Sequence, residues 1–187
     1  MSHQVDSLAP YIPRLVAHRF MDRPQLLTEP VAERFFAAVL LADISGFTAL
    51  TERLAKNGLA GAEQVSALLN DYFGQMINLV STHGGDVVKF AGDAMLALWP
   101  ASKWDKSGAL AVQRATHCAL LMQRRLHNYI AAQNVQLSMR MGVSAGEVTL
   151  AHIGGVNDHW EFTVAGPPLL QLLSIGQPKP CRKVNSG

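Results

Sequence analysis

An α+β domain with a central, mostly antiparallel sheet and flanking helices is predicted for this 187-residue sequence. Three observations carry the expectation. Short apolar runs rich in strand formers end on polar residues or glycine, as at Val39 to Asp43 and Asp86 to Phe90. Two longer stretches repeat their apolar residues at helical spacing. Several short strand-like runs follow one another across glycine-containing turns, which favours antiparallel pairing over parallel crossovers.

Composition sets the frame for these elements. With 49% of residues hydrophobic, the chain is long enough to bury one real core. A formal charge of +2 gives no footprint for nucleic acid or a membrane surface, and Arg124-Arg125 and Arg182-Lys183 read as solvated surface. Two cysteines, Cys118 and Cys181, show no metal-ligand spacing and fit a reducing compartment. No apolar run reaches the roughly 18 residues of a membrane span, and the amino end has no signal-like core, so a cytoplasmic protein is expected.

The elements follow in order. Residues 1–34, broken by Pro10, Pro13, Pro24 and Pro30, are expected to wrap the domain as turns and an irregular helix. The domain itself is expected over 35–176, and an irregular tail over 177–187. Val39 to Asp43 reads as a buried strand. Ser45 then caps a helix with Phe47, Leu50 and Leu54 on its apolar face, ending near Gly58. Val65, Leu68, Leu69, Tyr72, Phe73, Met76, Ile77 and Val80 line one side of a long helix stopped by Gly84-Gly85. Asp86 to Phe90 and Ala94 to Trp99 form a hairpin turning at Ala91-Gly92-Asp93. A third helix covers about 108–131, and Leu137 to Ile153 reads as a second hairpin with its turn at Ala145-Gly146. Glu161 to Val164 adds a strand.

Two aspartates stand out in this layout: Asp43 in Leu40-Leu41-Ala42-Asp43-Ile44-Ser45-Gly46-Phe47-Thr48, and Asp93 in Lys89-Phe90-Ala91-Gly92-Asp93. Each is delivered to a strand end or tight turn. Singly, such residues are most often turn formers or caps. Two unit negative charges about 4 Å apart repel by roughly 4 kcal/mol at an effective dielectric of 20, so a fold that joins them calls for a cation. Hard Mg²⁺ or Mn²⁺ suits carboxylate oxygen. The helix starting straight after Asp43 offers free N–H groups to an anion from Ile44 through Thr48.

Taken with Gly142-Val143-Ser144-Ala145-Gly146-Glu147-Val148, the order and spacing of these motifs resemble the class III nucleotidyl cyclase catalytic domain over about residues 35–173. The likeness is nearest to the first cyclase domain of soluble, bicarbonate-responsive adenylyl cyclases and their bacterial relatives. It implies a ferredoxin-like fold and a site at a dimer interface that converts ATP to cyclic AMP and pyrophosphate with two Mg²⁺ or Mn²⁺ ions. By the resemblance, Asp43, Asp93 and the Ile44 carbonyl hold the metals, and Ile44, Ser45, Gly46, Phe47 and Thr48 hold phosphates. Lys89 and Thr163 read adenine, where guanylyl cyclases use glutamate and cysteine. Lys89 and Val164 match bicarbonate contacts.

The sequence also departs from that pattern. Active homodimers carry an asparagine and an arginine on the helix after the last strand, whereas this stretch is Gly166-Pro167-Pro168-Leu169-Leu170-Gln171-Leu172-Leu173. Losing one charge-stabilising donor typically costs on the order of 100- to 1,000-fold in rate. A partner domain is therefore expected to supply these groups, and the rival reading is a silent nucleotide-binding or dimerising module. No arginine near Leu173 matches the bicarbonate-binding one, and the sequence after Gln177 resembles no core strand, as in a truncated domain. Gly84-Gly85-Asp86 reads as a helix stop. His83, His117, His127, His152 and His159 lack the mutual spacing of a metal site and read as surface or core histidines.

Overall fold

The computed structural model describes residues 13–22, 27–102, 104–105, 107–131, 135–157 and 159–176. Among these residues, eleven elements run in order: α1 (Arg14–Asp22), β1 (Val31–Ser45), α2 (Phe47–Ala55), α3 (Gly58–Thr82), β2 (Asp86–Ala91), β3 (Ala94–Pro100), α4 (Ala109–Leu126), β4 (Tyr129–Ile130), β5 (Gln136–Val156), β6 (His159–Ala165) and α5 (Pro167–Gly176). The sheet order is β2-β3-β1-β5-β4, with β6 also paired to β5, and every pairing is antiparallel. This is the expected α+β, ferredoxin-like plan. The 177–187 tail and Cys181 lie outside the described residues.

Strand alternation divides the core in two. On one face Ala38, Leu40, Ala42 and Ile44 of β1 meet Tyr72, Met76 and Val80 of α3 and Ala115, Cys118 and Met122 of α4. On the other face Ala37 and Val39 meet Leu98, Val148 and Leu172, with Leu15 and Leu169 packed against them from α1 and α5. A strand covered on both faces reads as a continuous apolar run, which is why Ala37 to Ala42 does not alternate. The docking of α1 is polar as well: the Leu15 N–H donates to Asp86 Oδ2 at 2.8 Å, and the Arg14 guanidinium donates to the Gly85 carbonyl.

Several boundaries differ from expectation. β1 begins at Val31, so the expected domain start at residue 35 falls inside a strand. Ser45 does not cap α2; its hydroxyl bonds Ser138 Oγ at 2.9 Å, and Gly46 is the N-cap. The third helix stops at Leu126, and β4 begins three residues later at Tyr129.

The largest correction concerns 137–153. No turn exists at Ala145-Gly146: β5 is one strand of 21 residues that pairs β1 from Ser138 to His152, and its hairpin partner is β6. Its glycines serve packing instead. A Cβ on Gly142 would stand 2.7 Å from Leu172 Cδ2, and one on Gly146 would stand 3.1 Å from Pro168 Cγ. Bare backbone at both positions lets α5 lie close on the sheet.

Candidate nucleotide and metal site

Asp43 and Asp93 converge. Asp43 is paired with Ala94, the residue after Asp93, and the Ile44 N–H donates to the Asp93 carbonyl at 3.2 Å. Asp93 sits in the two-residue turn between β2 and β3 beside Gly92 (φ +64°), and both aspartates are exposed. In an extended strand a residue's N–H and C=O leave by the same edge, so the Ile44 carbonyl also faces the turn. The Ile44 side chain is fully buried on the helix-covered face and anchors this corner.

The donor set is two carboxylates and a backbone carbonyl, all hard oxygens. Among the described residues no group of three or more His, Cys, Asp or Glu stands ready to hold an ion. Such a site fits Mg²⁺ or Mn²⁺, which bind through one or two carboxylates and complete their shells with water and substrate phosphates.

The start of α2 lies one residue beyond β1. Gly46 takes φ +107°, and a Cβ there would stand 2.7 Å from the Gln136 carbonyl, so glycine is required on both conformational and steric grounds. The first helical bond runs from the Leu50 N–H to the Gly46 carbonyl at 3.1 Å. The N–H groups of Phe47, Thr48 and Ala49 therefore have no acceptor within the helix and concentrate positive potential beside Asp43. Phe47 holds this end in place, stacked on Phe73 with ring centres 5.7 Å apart.

Lys89 reaches its position through a bulge. The β2–β3 register slips between Val87 and Lys89, so Lys89 pairs with Leu96 and faces the same side as Asp43. In continuous register without the bulge, Lys89 would pair with Met95 and point among the helices. Among the described residues Lys89 is the one charged residue lining an apolar cavity of about 140 Å³, together with Leu41, Ala94, Leu96, Leu169 and Leu172. Thr163 is exposed on β6 opposite Ala151, on the face turned away from Phe162 and Val164. Val164 packs on the α5-covered side together with Leu172. Thr163 and Lys89 thus leave their strands on opposite faces.

One residue of this neighbourhood escapes a reading by motif. Arg140 on β5 is the cross-strand partner of Asp43, exposed on the same face. Opposed residues of an antiparallel pair have Cβ atoms about 4.5–5.5 Å apart, so a permanent cation stands beside Asp43. Its signal in the sequence is the alternation of Leu137, Met139 and Met141 with Ser138 and Arg140. That signal becomes useful only once β5 is known to pair with β1.

The remaining polar groups divide simply. His127 Nδ1 accepts the Met139 N–H at 3.2 Å, and His152 is buried at 3% exposure. The Cys118 thiol is pushed up to about 12 by burial, so it stays protonated at neutral pH and is unreactive. No helix among the described residues is long and apolar enough to cross a membrane.

Comparison with known proteins agrees with this fold. Adenylate cyclase type 10 of Mus musculus is 32% identical over 139 residues, which is 73% of this chain and 8% of that protein. Adenylate cyclase 1 of Rhizobium meliloti is 28% identical over 131 residues, 68% of this chain and 18% of that one. The chain spans about a tenth or less of the length of its mammalian relatives. Among solved structures, a bacterial light-regulated adenylyl cyclase superposes with a TM-score of 0.65 at 26% identity, covering 92% of this chain and 47% of the other. The guanylyl cyclase Cya2 superposes with a TM-score of 0.58 at 30% identity, covering 77% and 70%. Residues 33–166, most of the described domain, match the family described as the adenylate and guanylate cyclase catalytic domain, and to that family this chain belongs.

Proposed function

We propose that this chain is the metal-bearing half of an adenylate cyclase, acting on ATP at an interface with a second cyclase domain. The observation that carries the reading is the junction of Asp43 and Asp93 across the end of β1, with the Ile44 carbonyl and a helix N-terminus beside it. Divalent ions bound there would supply Lewis-acid charge to the ribose 3′-hydroxyl and the triphosphate. The 3′-oxygen attacks the α-phosphorus, the bond to the β-bridging oxygen breaks, pyrophosphate leaves with the electron pair, and the hydroxyl proton passes to solvent.

In this reading Asp43, Asp93 and the Ile44 carbonyl hold the ions. The backbone N–H groups at the start of α2 bind phosphate oxygens, and Arg140 balances triphosphate charge. Adenine selection is assigned to Lys89 and Thr163. The place of Lys89 at the apolar cavity supports its assignment, while the role of Thr163 rests on its sequence position. Because a guanylyl cyclase shares the fold, purine choice depends on such side chains alone. Lys89 and Val164 would contact bicarbonate, but α5 offers no arginine to complete that pocket, so bicarbonate activation is expected to be weak or absent.

A second reading has its own support in α5. Leu170 and Leu173 are exposed at 69% and 59%, and Gln171 is engaged by the Ser144 hydroxyl at 2.6 Å. The helix presents no asparagine or arginine to orient a ribose or offset transition-state charge. A silent, dimerising module is the alternative. Calorimetric titration of Mn²⁺-ATP separates metal-dependent nucleotide binding from mere dimerisation: Asp43→Asn is expected to abolish the metal-dependent component. Unchanged binding would contradict the metal assignment.

A further inference from the structure

We infer that His83 and His117 form a site for a borderline divalent ion of the Zn²⁺ class, bridging α3 and α4 at the end of β3 remote from Asp93. The two residues are 34 positions apart in sequence, yet their ring centres lie 5.0 Å apart with the planes at 74°. Two imidazoles on one tetrahedral ion, with metal–nitrogen bonds of about 2.0–2.1 Å, have ring centres roughly 5 Å apart. The two rings, in edge-to-face contact, thus have a spacing that a shared ion can bridge.

The tautomer of His83 is suited to ligation. Its Nδ1 lies 2.7 Å from the Leu79 carbonyl, which can only accept, so Nδ1 carries the proton and Nε2 holds the free lone pair. A backbone carbonyl holding one ring nitrogen is the usual support behind a metal-bound histidine. The residue is further fixed by its own carbonyl, which accepts the Trp99 indole N–H at 3.0 Å. His83 is also the C-cap of the 25-residue α3, where the negative end of the helix dipole favours a cation.

The other groups facing the pair limit its affinity. Arg114, one turn before His117 on α4, carries a fixed charge whose Nη1 lies 3.5 Å from where a Cβ on Gly84 would stand. The Thr82 hydroxyl is 3.4 Å from His83 Nδ1. Among the described residues no third His, Cys, Asp or Glu joins the pair, so water would complete the coordination shell. Two neutral imidazoles with open positions select Zn²⁺, Ni²⁺ or Cu²⁺ over Mg²⁺.

The test is thermal unfolding of the full chain with and without Zn²⁺, in excess Mg²⁺ to occupy the carboxylate site. Wild type is expected to gain about 5–10 °C in Tm at a hundredfold excess of Zn²⁺ over its Kd. His117→Ala removes an exposed ligand, and His83→Asn keeps a donor for the Leu79 carbonyl while deleting Nε2. Each is expected to abolish the gain. Arg114→Gln is expected to enlarge it by relieving repulsion. No gain in wild type, or the same gain in both histidine variants, would overturn the site.

Discussion

The Ile44 N–H donates to the carbonyl of Asp93 at 3.2 Å, locking the β2–β3 turn onto the last residues of β1. The two aspartates are therefore brought to one corner by backbone, before any ion is bound. Like charges so placed repel, so Asp43→Asn is expected to leave the Tm of the metal-free protein unchanged or slightly higher while removing the stabilisation given by Mg²⁺. Scanning calorimetry with and without Mg²⁺ measures both effects. An undiminished Mg²⁺ effect in the variant would contradict the assignment.

Gly46 joins that corner to α2. Alanine there must adopt φ +107° and meet the Gln136 carbonyl, so Gly46→Ala is expected to cost about 1–3 kcal/mol and to displace the start of α2. Urea unfolding gives the stability change. Phosphate-dependent nucleotide binding should fall with it, whereas Thr48→Ala, exposed on the same turn, should spare stability.

Much of this corner is legible in the sequence because local rules and the global fold agree there. A strand former run ending in Asp43 favours extended backbone, and Gly92 permits the positive φ that a two-residue turn needs. The long helix α3 follows from periodicity, although Ile77 is 41% exposed despite its apolar spacing. What eludes such reading is non-local. Gly146 looks like a turn residue, yet its lack of a Cβ makes room for Pro168 of α5, distant in sequence. Ser45 looks like a cap, yet its hydroxyl is taken by Ser138 across the sheet. The side that Lys89 faces depends on a bulge at Val88, and the pairing of Arg140 with Asp43 and of His83 with His117 depends on tertiary structure alone.

Arg140 offers a test of the triphosphate arrangement. Removing one charge-assisted contact of about 1.5–3 kcal/mol should weaken binding roughly 10- to 100-fold. Arg140→Ala is expected to lower the affinity for ATP by that factor while leaving adenosine binding nearly unchanged. Equal losses for both ligands would place Arg140 outside the phosphate subsite.

Alkaline stability follows from two buried groups. Burial, with Tyr129 nearby, raises the Tyr72 hydroxyl to about 12, and burial raises the Cys118 thiol to about 12. Their ordinary values are 10.0 and 9.0, so between those values and about 12 the folded chain holds protons that the unfolded chain releases. The corresponding stability is fully present below about pH 9 and is lost as pH rises toward 12. Tyr72 also donates to the Leu126 carbonyl at 3.0 Å, tying α3 to α4. Denaturant midpoints should fall steadily above pH 9 in wild type, and less steeply in Cys118→Ala. A flat profile through that range would contradict the burial of these groups.

The central claim is that Asp43 and Asp93 form a working metal half-site that needs groups α5 lacks. Cyclic AMP production from Mn²⁺-ATP by the purified chain, alone and mixed with a cyclase domain carrying the missing asparagine and arginine, tests it most directly. Little or no product alone, product on mixing, and loss of that product with Asp93→Ala is the result expected. A folded mixture that makes no cyclic AMP, or that makes as much with Asp93→Ala, would contradict it.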